Sequence, residues 1–400
     1  MKLQDELTEF MDQFVLPAES VANEQLADRP DHWGAPPIMA TLKAEAKQRG
    51  LWNLFLQNRD GTGLSNLDYA PLAELTGWSP LLAPEAINCS PPDTGNMELL
   101  HLYGTEPQRR QWLEPLLAGD IRSCFSMTEP DVASSDANNV RLRIGDDGDH
   151  WVLTGRKWWS TGALREDCRV AMVMGVTDDA APAGRRHSIV LVPLDTPGVK
   201  ILRSTSVLGF HDRHEGGHGE LIFDQVHVPK TNLLGERGRG FAVAQARLGP
   251  GRIHHCMRLI GMGERALALA VARTQHRVAF GIPLSEQGVV QAAIAEARVT
   301  LDAARLLVLR AAHHMDTEGS KAARHDIAAA KVMVPRTVKH IVDDVIQMFG
   351  GAGVSQDTML ATLYAQARFL QIADGPDEVH RRSLAKAEFA AKPTLSEVHA

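Results

Sequence analysis

A change of periodicity, made twice along the chain, constrains the fold more than any other feature. Leu3, Leu7, Phe10, Met11, Phe14 and Val15 recur at three- and four-residue spacing, and residues 38–50 and 66–77 repeat that amphipathic pattern between the loops RPDHWGAPP and SPPDTGN. The spacing predicts helices through 1–122, the first closed by Pro17. Over 123–235 the pattern gives way to the short runs HWVLTG, RVAMVMGVT, HSIVLVPLD and GELIFDQVHVP, separated by Gly, Asp and Pro, which predict a compact antiparallel β domain. Over 236–400 long Ala-rich helical patterns return, with Ala293, Ala297, Leu301, Ala304 and Val308 on one face. Pro335 lies inside such a pattern, and because the apolar spacing resumes beyond it a kink is expected there rather than an end. Helices, then strands, then helices, with no strand-helix alternation, argue against a parallel doubly wound sheet and predict an α+β multi-domain chain divided as 1–122, 123–235 and 236–400.

With 400 residues, 44% of them hydrophobic and 23% charged, the chain can bury a large core and is neither disordered nor low in complexity. Its net charge of -7 opposes broad electrostatic capture of nucleic acid or anionic lipid. Cys89, Cys124, Cys168 and Cys256 form no CxxC pair, which fits a reducing compartment. The acidic, amphipathic start MKLQDELTEFMDQF has the character of neither a signal nor a transit peptide, so the expected location is cytoplasmic. No uncharged apolar run approaches the ~18 residues a membrane span needs.

Several short motifs compete for a chemical reading. HEGGH at 214–218 matches a zinc-binding pattern, but that pattern needs both His on one helix face, and Gly216 and Gly217 each cost a helix roughly 1 kcal/mol relative to Ala, so a polar turn is expected. GMGERA at 261–266 matches a loose dinucleotide pattern without a preceding strand, which favours close helix packing through Gly261 and Gly263. The pairs His254–His255 and His313–His314 read as packing or surface residues. CFSMTEPDVASSD at 124–136 offers hydroxyls and backbone N–H groups to a ligand, or forms an ordinary Ser-rich turn. GRKWWSTG at 155–162 sets two Trp beside hydroxyls, a composition suited to covering a planar ring, or to a strand with Trp in a core. QMFGGAG at 347–353 permits close backbone approach, and ADGPDEVHR at 373–381 puts Asp374 before a Gly-Pro turn.

Taken in order, MTEP, GRKWWSTG, FDQVHVP, RVAFG, QMFGGAG and ADGPDEVH resemble the FAD-dependent acyl-CoA dehydrogenase superfamily over about residues 35–390. The wording of GLWNLFL, NCSPPDTGNME and MTEPDVASSDA is most similar to the branch of acyl-CoA dehydrogenase family members 10 and 11. The resemblance implies an N-terminal helical domain, a middle β domain and a C-terminal four-helix bundle, with FAD between the last two. It implies that Phe125, Met127, Thr128 and Ser135, then Trp159, Ser160 and Thr161, line the isoalloxazine and ribityl region. Arg277, Phe280, Gln347, Gly350 and Gly351 match positions reaching the FAD of a neighbouring subunit, so a homodimer or homotetramer is implied, and Pro376 and Glu378 join the cofactor set.

The implied reaction is α,β-dehydrogenation of an acyl-CoA to a trans-2-enoyl-CoA, as in fatty-acid β-oxidation, with hydride passing to flavin N5 and electron-transfer flavoprotein as acceptor. It needs a positioned base and donors on the thioester oxygen. By resemblance the base is Asp374, whose own N–H with a ribityl hydroxyl would bind that oxygen; Ser135, Arg252 and Gly375 fall near the substrate. Asp is one methylene shorter than the usual Glu. The alternative base position of the family is held here by Gly251 before Arg252, which leaves Asp374 without a competitor, and a customary Gln eight residues after Phe280 is replaced by Gly288. Rival expectations are a nitroalkane-oxidase-like flavin oxidase and a DNA-binding homologue without catalysis; the charge balance opposes the second.

Overall fold

The computed structural model describes residues 2–56 and 63–390, and the chain divides at Gly251 into two compact units, Met1–Gly251 and Arg252–Ala400. In the first unit, the helix Lys2–Phe10 does not stop before Pro17. It passes through a wide π turn, Met11–Val15, into a further helix, Leu16–Ala27. The π turn resets the hydrogen-bond register, so Pro17 falls in the first turn of the next helix, where its missing N–H costs nothing. Met39–Gln48 and Asn66–Thr76 follow as expected, the second capped by Ser65 accepting from the Asp68 N–H.

The strands are β1 Arg122–Ser126, β2 Arg143–Asp147, β3 His150–Thr161, β4 Cys168–Val176, β5 His187–Pro193, β6 Val199–Thr205, β7 His218–Pro229 and β8 Leu233–Leu234. They form one sheet in the order β6-β7-β3-β2-β4-β5-β8. The sheet is antiparallel except for one β2–β4 contact and for β1, which pairs parallel to β4 with Cys124 opposite Ala171. Its core is built from Leu153, Val173, Val190, Leu221, Phe223 and Val226. A buried charge cluster ties β1 to the helices: Glu85 takes Arg122 Nη2 at 2.8 Å, Arg165 Nη1 at 3.0 Å and Lys43 Nζ at 2.9 Å. Burial alone would push the Glu85 carboxyl up, yet the three cations hold it well below the usual carboxylate range. Removing any one would leave buried charge uncompensated.

The helix Gly240–His276 runs across the division point. In the second unit, Gly288–Glu318, Arg324–Phe349, Leu360–Phe369 and Asp377–Ala390 follow it. Ala297, Leu301, Ala304 and Val308 are buried on one face, and the helix Arg324–Phe349 continues through Pro335. A Cβ added at Gly263 would lie 2.9 Å from Leu301 Cδ1 and 3.3 Å from Val338 Cγ2, so the glycine of GMGERA serves helix packing. Among the described residues no helix is long and apolar enough to cross a membrane.

Candidate active site

Site residues expected from the sequence fall in both units, and each set has its own geometry. In the first unit a bulge in β3, between Lys157 and Ser160 against β7, turns Trp159 to a φ of 54°. Bulges of this kind re-aim a side chain next to a site. Trp158 and Trp159 stand edge to face with ring centroids 6.1 Å apart, and both remain partly exposed. The segment after β1 is clamped to the bulge in both directions: Trp158 N–H donates to Thr128 O at 3.0 Å, and Thr128 Oγ1 donates to Trp158 O at 2.8 Å. Phe125 lies under the Arg247 guanidinium, 4.5 Å from the ring centroid. Ser160 is buried and its hydroxyl meets Ser126 Oγ at 2.8 Å. Met127 and Thr161 are partly exposed and Ser135 is exposed.

The clamp has a support that sequence reasoning missed. Fully buried Lys157 donates to Met127 O and to Glu129 Oε1, both at 2.8 Å, while the Glu129 carboxylate accepts from the N–H groups of Arg141 and Leu142. Burial pushes the Lys157 ammonium down to about 8 against the pull of Glu129. The signal was present: a lysine and a glutamate inside GRKWW and MTEP, where apolar residues would pack more cheaply.

In the second unit Asp374 occupies the left-handed region at φ 56° and is followed by Gly375 at φ 104°. Arg252 Nε donates to Asp374 O at 2.8 Å, and buried Lys331 donates to Ala373 O at 2.9 Å and to Leu370 O. Two cations thus grip successive carbonyls of this turn. The carboxylate Oδ2 lies 3.4 Å from His255 Nε2, and Arg258 Nη2 is 3.3 Å from the other nitrogen of that ring. The sequence offers His255 as a packing or surface residue; its partner is more than a hundred positions away, a contact no local pattern carries. A Cβ on Gly375 would come within 3.1 Å of His380 Nε2, and burial pushes that imidazole down to about 4.

The remaining expected residues are at the surface of the same unit. Arg277 is exposed beside the strand pair Val278–Ala279 and Ile282–Pro283, whose connecting turn sets fully exposed Phe280 at φ 54° and Gly281 at φ 85°. Two successive positive φ values suit Gly far better than Phe, so the aromatic is held there against backbone preference. Gln347 is exposed; Gly350, at φ 63°, opens the short turn Gly350–Val354, and a Cβ at Gly350 or Gly351 would meet nothing within 4 Å. Pro376 O accepts from Val379 N–H, and Glu378 is exposed near Arg381. The HEGGH stretch forms a turn and not a helix: Arg213–Glu215 make one short 3-10 turn, and the two glycines after it take φ of 83° and 61°.

Family models for the middle and C-terminal domains of acyl-CoA dehydrogenase match residues 124–226 and 238–389. FadE2 of Mycobacterium tuberculosis, itself named a probable acyl-CoA dehydrogenase, is 57% identical over 96% of this chain and 94% of its own length. The chain belongs to the acyl-CoA dehydrogenase family. Human acyl-CoA dehydrogenase family member 11 is 53% identical over 95% of the chain, which spans 49% of that longer relative. A Mycobacterium abscessus structure described as an acyl-CoA dehydrogenase superposes with a TM-score of 0.94 at 48% identity, covering 97% of each chain. Membership in the acyl-CoA dehydrogenase family makes the chain an oxidoreductase of a flavoprotein class, with FAD as the family cofactor. Its own donor set fits that cofactor: partly exposed indole rings flanked by the Thr128 and Thr161 hydroxyls suit a planar ring with a polar edge.

Proposed function

We propose that this chain dehydrogenates an acyl-CoA thioester to the trans-2-enoyl-CoA, with Asp374 taking the α-proton. The grip on the backbone around Asp374 carries this reading. A base one methylene shorter than glutamate has to be placed by its main chain, and a misplacement of ~1 Å costs about a hundredfold in rate. Lys331 and Arg252 provide that placement through the carbonyls of Ala373 and Asp374. His255 fixes the carboxylate from the side, leaving the α-proton to end on an Asp374 oxygen. Bound FAD supplies the two-electron acceptor for the β-hydrogen. Trp159, Thr128 and Thr161 hold its ring, and Arg277, Phe280, Gln347, Gly350 and Gly351 serve the cofactor of a second copy. Electron-transfer flavoprotein is the partner that reoxidises it.

Anaerobic mixing of the holoenzyme with acyl-CoAs of graded chain length is expected to bleach the yellow flavin with at least one of them. Persistent colour throughout the panel would overturn the reading, and peroxide release with nitroalkanes would assign an oxidase in its place. Asp374→Asn should keep FAD and lose reduction by about 10²–10⁴-fold. Undiminished turnover in that variant would remove Asp374 from the reaction.

A further inference from the structure

Behind the Trp159 bulge lies a three-member hydrogen-bond chain that no local motif announces. Thr161 Oγ1 is 2.9 Å from His218 Nδ1, and His218 Nε2 is 2.9 Å from Asp212 Oδ2. Thr161 and His218 are ladder partners in β3 and β7, the imidazole is buried, and its centroid lies 5.2 Å from the Trp159 ring. The loop that brings Asp212 there is built at conformational cost. Asp212 sits at φ 48°, and the N–H groups of Glu215 and Gly217 both donate to its carbonyl at 3.0 Å. Gly217 admits no side chain, since a Cβ would come within 2.4 Å of Ser204 Oγ and 2.6 Å of Trp33 Cζ3. Backbone outliers concentrated under one side chain mark a position that the surrounding structure over-determines.

We propose that Asp212, His218 and Thr161 form a relay that holds the Thr161 O–H on His218 and so turns the hydroxyl lone pairs toward the cofactor ring, with His218 as the positioning residue that tunes the flavin potential. The inference rests on the reading that the Trp159–Thr161 face holds the flavin. A carboxylate only accepts, so His218 Nε2 carries the proton shared with Asp212. In the neutral ring Nδ1 is then an acceptor and takes the Thr161 O–H, which leaves the hydroxyl lone pairs to face outward. An oxidised isoalloxazine edge offers acceptors, whereas the reduced ring adds an N–H donor; an outward-facing acceptor favours the reduced form. Without His218 the hydroxyl is free to turn and donate, which favours the oxidised form.

The test is the equilibrium midpoint potential of the flavin in full-length holoenzyme, read against a reference dye. His218→Ala should shift the oxidised-to-reduced ratio about tenfold toward the oxidised form, close to 30 mV for a two-electron couple. His218→Gln, whose amide can donate to Asp212 and accept from Thr161, should restore most of the shift, and it serves also if the alanine variant does not fold. In the Thr161→Val background, His218→Ala should add nothing. A wild-type potential in flavin-loaded His218→Ala, or a full effect of that change when Thr161 is already Val, would overturn the relay. ¹⁵N-histidine spectra of the full chain separate this from the flavin assignment. One protonated and one bare nitrogen on His218, the bare one responding to Thr161→Val, support the relay; a doubly protonated ring or no response overturns it. Failure of the wild-type protein to retain FAD would instead sink the site reading.

Discussion

Burial pushes the half-buried Glu98 carboxyl up to about 8 against the pull of Arg247, and its Oε2 has no hydrogen-bond partner among the described residues. In the unfolded chain the same acid ionises near 4.5. Between those values the folded state binds the extra proton, so stability falls as pH rises, by up to about 1.4 kcal/mol per pH unit. Glu98→Gln should therefore flatten the pH dependence of denaturant midpoints from about pH 5 to 8 and stabilise the protein most at the alkaline end; an unchanged slope would show that Glu98 ionises freely. At this scale the sequence was unevenly legible. Asp374, Trp159 and Thr161 were named as candidates through the family resemblance of the motifs around them. Lys157, Lys331, His255 and His218 were not, since each acts through a partner that only the fold brings near.

Elements were easier to read than their irregularities. The apolar spacing placed the helices Met39–Gln48 and Asn66–Thr76 and the strands β3, β4, β5 and β7, because burial on one face enforces a period. The π turn at Met11–Val15 keeps the same face buried while shifting the hydrogen bonds, so the pattern continued and Pro17 looked like a stop. The parallel pairing of β1 with β4 joins segments more than forty residues apart, and nothing local encodes it. Helix packing in the second unit turns on Gly263, which leaves room for Leu301 and Val338. Gly263→Val is expected to cost about 1–3 kcal/mol through overpacking. Guanidinium unfolding followed by circular dichroism would read it, and an unshifted midpoint would show that those side chains give way freely.

For the whole molecule, the exposed apolar side chains of the second unit are the feature that asks for a consequence. Phe280, Val289, Leu306 and Val354 all face solvent in the isolated chain, and Phe280 does so on a turn that disfavours it. In the proposed assembly a second copy would cover this hairpin and account for both. Phe280→Ser should lower the sedimenting mass and weaken FAD retention while leaving the helical spectrum intact; an unchanged assembly would place the contact elsewhere. The grip on the Asp374 turn carries a different implication. Lys331 is sealed beneath the turn at residues 370–374, where its ammonium donates to the carbonyls of Leu370 and Ala373. Reagents that acylate primary amines would mark it only in molecules where that turn has lifted. Its labelling rate is accordingly a clock for how often the acid leaves its perch.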